Sequence, residues 1–170
     1  MLIRKVLDMT LMEPVRDKGY ALIDNFGRVM ETADLSRVLF HVPVWKHIYH
    51  ALYWFDYWFA GPQSFLGAPF HAEGLESIDT PCEFTVTKEQ LHEYYEAVAE
   101  KSRRYLDMLT DDMLTELAQG SDTNRLSCIL GQFRHGYAHI GNINCVTIMD
   151  TDQWPFVAGK AADVSHGLYE

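Results

Sequence analysis

The chain has 170 residues, and its 14 lysines and arginines against 24 aspartates and glutamates give a net charge of −10 with histidine neutral. This length suits a single domain over residues 1–170 that buries its own hydrophobic core without disulfides or a structural metal. The acidic balance argues against nucleic acid and anionic membranes as partners, because both require a basic patch.

The first half of the sequence predicts a short helix followed by two long ones. The short helix covers about residues 2–12, and the first long helix begins near Pro14, which suits a first helical turn, and extends to about Glu31. The second long helix begins at Pro43 and ends near Gly61 and Pro62, because glycine and proline together end helices.

A long connection over residues 61–86 follows, and a segment of this length inside a compact domain is usually functional or mobile. Thr87 then begins a third long helix. The segment TKEQ fits a capping box, in which the Thr87 side chain accepts from backbone donors and Gln90 reaches back to the cap.

The last part of the chain predicts a short helix and a final long one. The short helix covers about residues 111–119 and stops at Gly120. Either Ser121 or Asp122 caps the long helix, which extends to about Met149. The tail after Asp150 contains two glycines and is expected to have an irregular backbone.

These elements predict the fold class. Four long amphipathic helices with short extra ones, and nearly no alternating strand pattern, indicate an all-α four-helix bundle. The long connection after the second helix favours a crossover over a simple up-down-up-down arrangement.

The sequence carries no signal for secretion or membrane insertion. Its three cysteines are odd in number and form no CxxC pair, which argues against a disulfide framework or a thiolate zinc site. The N-terminus lacks the apolar run of a signal peptide, and the most apolar stretch, residues 48–60, is too short to span a bilayer. We therefore expect a reduced, cytoplasmic protein.

The last long helix carries an unusual polar stripe. At 100° per residue, one narrow face contains Cys128, Gln132, His135, His139 and Asn142. Solubility alone is normally provided by charged residues, which this helix largely lacks. The stripe is therefore expected to be enclosed and hydrogen-bonded, or to bind a ligand.

His135 and His139 are four residues apart, so their rings lie one above the other on this face and can chelate one divalent ion. The HExxH zinc proteases need a glutamate directly after the first histidine, and Gly136 stands there, so that class is not indicated. Taken alone, the pair is as consistent with two hydrogen-bonded helix residues as with a metal site. A metal needs a third ligand from another helix.

The second long helix offers that ligand. Nine of the 22 aromatic residues lie between Phe40 and Phe59, and the helix is apolar nearly all round. His50 lies among Trp54, Tyr57 and Trp58, opposite the aliphatic face. His47, one turn earlier, is the rival, and either histidine is also consistent with a hydrogen-bonded core residue.

Three segments together resemble the DinB/YfiT-like superfamily of metal-binding four-helix bundles: RHGYAHIGNIN, VWKHIYHALYWFDYWF and TKEQLHEYYEAVAEK. In that family a histidine late in the second helix and a His-x-x-x-His pair on the last long helix hold a divalent metal. The resemblance implies His50, His135 and His139 as the ligands and favours His50 over His47. The long insert after the second helix and Pro14 depart from the family pattern and leave the substrate open.

The resemblance and the ligand set together predict the chemistry. Three neutral imidazoles suit one divalent transition metal, and zinc or nickel is expected. The first hypothesis is a hydrolase that uses a metal-activated water on a small-molecule substrate, and the second is a metal-dependent thiol S-transferase. The third is a non-catalytic metal-binding or stress-associated protein.

Further residues are expected around the metal. Gln132 and Asn142, one turn to either side of the pair, orient ligands or substrate, while Trp54, Tyr57 and His47 line the pocket. The loop residues that are able to close over the site are His71, Glu73 and Glu76. No carboxylate lies on either histidine face, so no general base is named. The surplus of apolar helix surface predicts a homodimer.

Overall fold

A computed structural model describes residues 10–59, 61–81, 83 and 85–170. Its helices are α1 (Met12–Thr32), α2 (Val44–Phe59), α3 (Lys88–Met108), α4 (Asp111–Leu114) and α5 (Arg125–Thr151). Two 3-10 helices cover Pro62–Ser64 and Ala161–Ser165, and an antiparallel hairpin pairs β1 (Val38–Leu39) with β2 (Val42–Pro43). The all-α class is confirmed. The helix predicted over residues 2–12 falls mainly on residues 1–9, which lie outside the described part.

The four long helices pack into one bundle with a shared apolar core. α1 packs against α3 and α5, and α2 packs against the same two helices, so α1 and α2 lie diagonally opposite each other. Phe26 of α1 meets Phe55 of α2 at the centre, with ring centroids 5.7 Å apart. The consecutive pairs α1/α2 and α3/α5 are thus diagonal, unlike those of a simple up-down-up-down bundle, whereas α2 and α3, which the long connection joins, pack side by side.

The N-terminal caps of α3 and α5 test two sequence predictions. The capping box of α3 is confirmed: the backbone N–H of Gln90 donates to Thr87 Oγ1 at 3.2 Å, and that of Thr87 donates to Gln90 Oε1 at 3.0 Å. The cap of α5 is Asn124, whose side chain accepts from the N–H of Ser127 at 2.8 Å. The prediction of Ser121 or Asp122 was therefore wrong.

The helix predicted over residues 111–119 is also too long, since α4 ends at Leu114. Leu117 pairs with Asn124 in an isolated antiparallel bridge, and Ala118 N–H donates to the Thr123 carbonyl at 2.9 Å. The Ala118 N–H is therefore used in this turn, whereas a helix that continued to residue 119 would need it for a hydrogen bond within the helix. The turn also moves the start of α5 to the residue after Asn124.

The tail after α5 folds back onto α1. Asn25, 1% exposed in the middle of α1, bonds both backbone groups of Ala158, donating to its carbonyl at 2.9 Å and accepting from its N–H at 2.8 Å. Arg28 donates to the Gly167 carbonyl at 2.7 Å. None of the described helices has the length and apolarity needed to cross a membrane.

The long connection between α2 and α3 is bound to α2 by side chains of that helix. The buried Asp56 carboxylate accepts from the backbone N–H groups of Leu66 at 3.1 Å and Gly67 at 3.0 Å. Ten residues before Asp56 in α2, the ammonium group of the fully buried Lys46 donates a hydrogen bond to the Thr80 carbonyl. These bonds hold the connection along α2.

Candidate metal centre

Three imidazole rings converge between α2 and α5. His50 comes from α2, while His135 and His139 come from successive turns of α5. Nε2 of His135 lies 3.2 Å from Nε2 of His50 and 3.2 Å from Nε2 of His139. The potential ligand atoms of all three side chains lie within 4.8 Å of one another, so the cluster could hold a metal ion.

The spacing of these nitrogens fits a transition metal. Nitrogen ligands at about 2.0–2.1 Å from a tetrahedral zinc ion lie about 3.3 Å from one another. The two measured separations of 3.2 Å agree with this value. A neutral imidazole has one N–H, so a single proton on His135 Nε2 cannot serve two neighbouring lone pairs equally well. A cation at the centre would accept all three lone pairs at once.

The tautomer of His50 also suits a ligand. Its Nδ1 lies 2.5 Å from the backbone carbonyl oxygen of Glu76. A carbonyl only accepts, so Nδ1 carries the proton and Nε2 keeps its lone pair directed at the other two histidines. An Nδ1–H bond to a backbone carbonyl is a common way for proteins to orient a metal-binding histidine.

Burial keeps the three rings neutral. Desolvation, followed by the charge of His50, lowers the pKa of His135 to about 4. Desolvation, followed by the charges of His135 and His50, lowers the pKa of His139 to about 3. Desolvation also lowers the pKa of His50. The rings therefore present lone pairs rather than protons at neutral pH, which is the state that binds a metal.

His47 lies beside the cluster without joining it. Its Nε2–H donates to the Leu39 carbonyl at 2.7 Å, and its ring centroid lies 6.0 Å from that of His139. The hairpin of β1 and β2 provides that carbonyl, and sequence reasoning did not predict the hairpin. Of the two rival histidines in α2, the structure thus brings His50 and not His47 together with the α5 pair.

The aromatic residues of α2 form a half-buried wall rather than a sealed lining. Trp54 packs edge-on against His50 with ring centroids 6.5 Å apart, and it contacts Tyr57 at 5.8 Å. Tyr53 stacks on His71 of the connection at 5.3 Å. The side chains of Tyr53, Trp54 and Tyr57 all keep partial exposure. The connection and the aromatic wall therefore cover the centre only in part.

The two amides predicted beside the centre differ in their surroundings. Oε1 of Gln132 is buried and has no hydrogen-bond partner among the described residues. Asn142 is exposed instead, so the polar stripe of α5 is enclosed at Gln132 and His139 but open to solvent at its C-terminal end.

Glu76 of the long connection contacts His50 through its backbone. Its carbonyl accepts the His50 proton, and its Oε2 is buried without a hydrogen-bond partner among the described residues. Burial, followed by the charge of Glu76, raises the pKa of Tyr53. Sequence reasoning named Glu76 only as one of three loop residues, since no local pattern fixes where a connection folds. His71 and Glu73 are exposed.

Comparison of the chain with family models, curated proteins and solved structures finds no match to any of them. The fold and the three-histidine cluster therefore carry the functional argument. The expected small-molecule substrate and homodimer stay predictions.

Proposed function

We propose that the chain is a divalent-metal-binding protein of the DinB/YfiT-like kind and acts as a metal-dependent hydrolase. The observation that carries the proposal is the convergence of three neutral imidazole nitrogens, two pairs of them 3.2 Å apart. The order of the ligands along the chain, one on α2 and an i,i+4 pair on α5, also supports it.

The ligand set decides what the centre can do. Three protein ligands leave a coordination position open, whereas structural zinc sites close all four. A divalent ion with neutral ligands keeps its full charge and supplies Lewis-acid chemistry, lowering the pKa of a water molecule or polarising a carbonyl. His50 and His135 are each partly exposed, so a small molecule has a route to this side of the cluster.

The surrounding residues provide the remaining functions of a hydrolytic site. The Gln132 Oε1 and Glu76 Oε2 atoms are buried acceptors without partners among the described residues, so each is able to accept a hydrogen bond from a substrate. The aromatic wall of Tyr53, Trp54 and Tyr57 offers apolar contact for the body of the substrate.

Metal content tests the first half of the proposal. Purified protein should contain about one transition-metal ion per chain, since the three histidines form one site. His139→Ala should abolish binding, because it removes a ligand from the buried side. His92→Ala is the matched control, since His92 is half-exposed on α3 and pairs with Glu96. Undiminished metal in His139→Ala, measured by elemental analysis, would overturn the assignment.

Substrate screening tests the second half. The metal-loaded protein is assayed against esters, amides and electrophiles offered with low-molecular-weight thiols. Ester or amide hydrolysis that His139→Ala abolishes supports the proposal, and conjugation of a thiol would instead favour the S-transferase. Stoichiometric metal without turnover, together with loss of thermal stability on chelation, would favour a non-catalytic metal site.

A further inference from the structure

A separate cavity lies at the end of the bundle near the start of α5. Its volume is about 330 Å³, which is within the range of small-molecule sites. The C-terminal half of α3, the segment through α4 and the first residue of α5 form most of its wall. None of the three clustered histidines lines it.

The charged side chains that line this cavity are all basic, although the chain as a whole is acidic. Lys101, Arg104 and Arg125 line it, and no aspartate or glutamate of the described residues does. The chain as a whole has 24 acidic residues against 14 basic ones. Each of the three cations is paired with a carboxylate that does not line the cavity, so the charged groups that a ligand meets are N–H donors, which favour an anionic acceptor.

The cations retain donors for such a ligand. Lys101 directs two N–H bonds to Asp56, one to its carboxylate and one to its carbonyl, and an ammonium group has three donors. Arg125 uses Nη1 on the Met113 carbonyl and on Glu116, which leaves further guanidinium donors. Arg104 uses Nη2 on Glu100, which also leaves guanidinium donors. The carboxylates of Asp56, Glu100 and Glu116 do not line the cavity. They hold the cations in place without occupying the space in front of them.

Much of the rest of the wall is apolar. Leu109 and Ala118 are buried, at 3% and 7% exposure, and Tyr105 and Met113 are partly buried. All four line the cavity together with the cations. A ligand that satisfies both parts of the wall has an anionic head and an apolar body.

We infer that this cavity is a second binding site, independent of the metal centre, for a small amphipathic anion. The negative head contacts Lys101, Arg104 and Arg125, and the apolar body packs against Leu109 and Met113. The inference stands whether or not the histidine cluster is catalytic, because no residue is shared between the two sites.

Octanoate is the probe. Acetate, which has the anionic head without the apolar body, and octanol, which has the apolar body without the charge, are the two control compounds. Amide NMR spectra of the full chain are recorded during titration with each compound. Octanoate should shift signals of residues 101–125 and bind about tenfold more tightly than octanol, because only octanoate has the charged acceptor. Equal affinity for octanol, or shifts confined to residues outside this cavity, would overturn the inference.

Variants that fill the cavity make the test specific. Ala118→Phe occupies the apolar part, and Ser64→Trp, at an exposed position of the rim, blocks it without touching the core. Either variant should abolish octanoate binding while metal content stays at the level of the unchanged protein. Octanoate binding that persists in folded Ser64→Trp would contradict the site even if Ala118→Phe does not fold.

A matched pair of arginine variants tests the role of charge. Arg104→Gln removes a cation of the cavity wall, and Arg103→Gln makes the same change one position earlier on α3, outside the wall. Arg104→Gln should weaken octanoate binding about threefold, as expected for an exposed charge, and Arg103→Gln should not. Equal weakening in both variants would indicate a long-range effect of net charge and not a site.

Discussion

Nε2 of His50 lies 3.2 Å from Nε2 of His135 across the contact between α2 and α5, although the two residues are 85 positions apart in the chain. Two uncharged imidazoles can approach this closely only where one provides a proton or a cation lies between them. The same histidine bonds the Glu76 carbonyl through its other nitrogen. His50 thus links the ligand cluster to the connection that covers it.

The first prediction concerns the pH dependence of the metal-free protein. The pKa values of His135 and His139 fall from 6.5 to about 4 and about 3 in the folded chain. Below about pH 6.5 the unfolded chain binds protons at these residues and the folded chain does not, so acidification from about 6.5 to about 4 lowers the free energy of unfolding.

Urea unfolding of chelator-treated protein at several pH values measures this decline. His135→Gln should flatten part of it, because the variant removes one group whose pKa differs between the folded and unfolded states. A free energy of unfolding that stays constant or rises on acidification would contradict the burial of neutral histidines. If the free energy of unfolding of His135→Gln declines by the same amount on acidification, the decline comes from other titrating groups, such as carboxylates, and not from His135.

The second prediction separates the two roles of His50. His50→Ala and His139→Ala each remove one ligand, but only His50→Ala also removes the bond to Glu76. Loss of one hydrogen bond of about 1 kcal/mol should increase local opening of the connection about fivefold. Limited proteolysis of the metal-free proteins should therefore cut residues 66–80 faster in His50→Ala than in His139→Ala. Equal rates would mean that this bond does not hold the connection.

Local patterns explain what could be predicted from the sequence. The capping box at Thr87 and Gln90 depends on residues three positions apart, and it fixed the start of α3 to the residue. The pair His135 and His139 lies on one helical face for the same local reason. The prediction that His50 of α2 joins this pair required a further assumption, namely that α2 and α5 pack against each other at these faces. His50 and His135 are 85 positions apart in the chain.

Tertiary contacts explain what could not be predicted. Ser121, Asp122 and Asn124 are all suitable caps by residue type, and the bridge between Leu117 and Asn124 decides among them. The placement of Glu76 depends on bonds from α2 side chains to a connection without periodicity. The return of the tail onto α1 was likewise invisible, although a buried amide such as Asn25 within a helix implies a partner from elsewhere in the chain.

The third prediction uses two glycines of α5. A Cβ at Gly136, the residue after His135, would lie 2.9 Å from Leu22 Cδ1 and 3.0 Å from Phe26 Cζ, and both neighbours are buried. At Gly141 a Cβ would meet nothing within 4 Å. Gly141→Ala should stabilise the protein by about 0.5–1 kcal/mol through helix propensity alone.

Gly136→Ala should instead destabilise the protein by about 1 kcal/mol. The new methyl group clashes with α1, and the cost of this overpacking exceeds the gain in helix propensity that alanine brings. The variant should also weaken metal binding, since pushing α5 away from α1 moves His135. Chemical denaturation and metal titration of the two variants measure both effects. Equal stabilisation by the two alanine variants would contradict this prediction, because it would mean that α1 and α5 make room for the methyl group at position 136 without a loss of stability.

The fourth prediction compares a buried ion pair with an exposed one. Lys101 pairs with Asp56, with side-chain exposures of 13% and 0%, whereas Lys88 pairs with Glu31 at 46% and 45%. Among the described residues, Lys101→Met leaves the buried Asp56 carboxylate with Tyr94 and the backbone N–H groups of Leu66 and Gly67 as donors. This change should lower the free energy of unfolding by about 3 kcal/mol, because a buried charge loses its counterion.

Lys88→Met removes a positive charge from a solvent-exposed ion pair, and it should change the free energy of unfolding by less than about 1 kcal/mol. Because Asp56 also binds the connection over the histidine face, Lys101→Met should increase proteolysis of residues 66–80 as well. Denaturation curves and proteolysis of both variants test this. Similar small effects in the two would mean that the Asp56 carboxylate is stabilised by its backbone and tyrosine donors without the lysine.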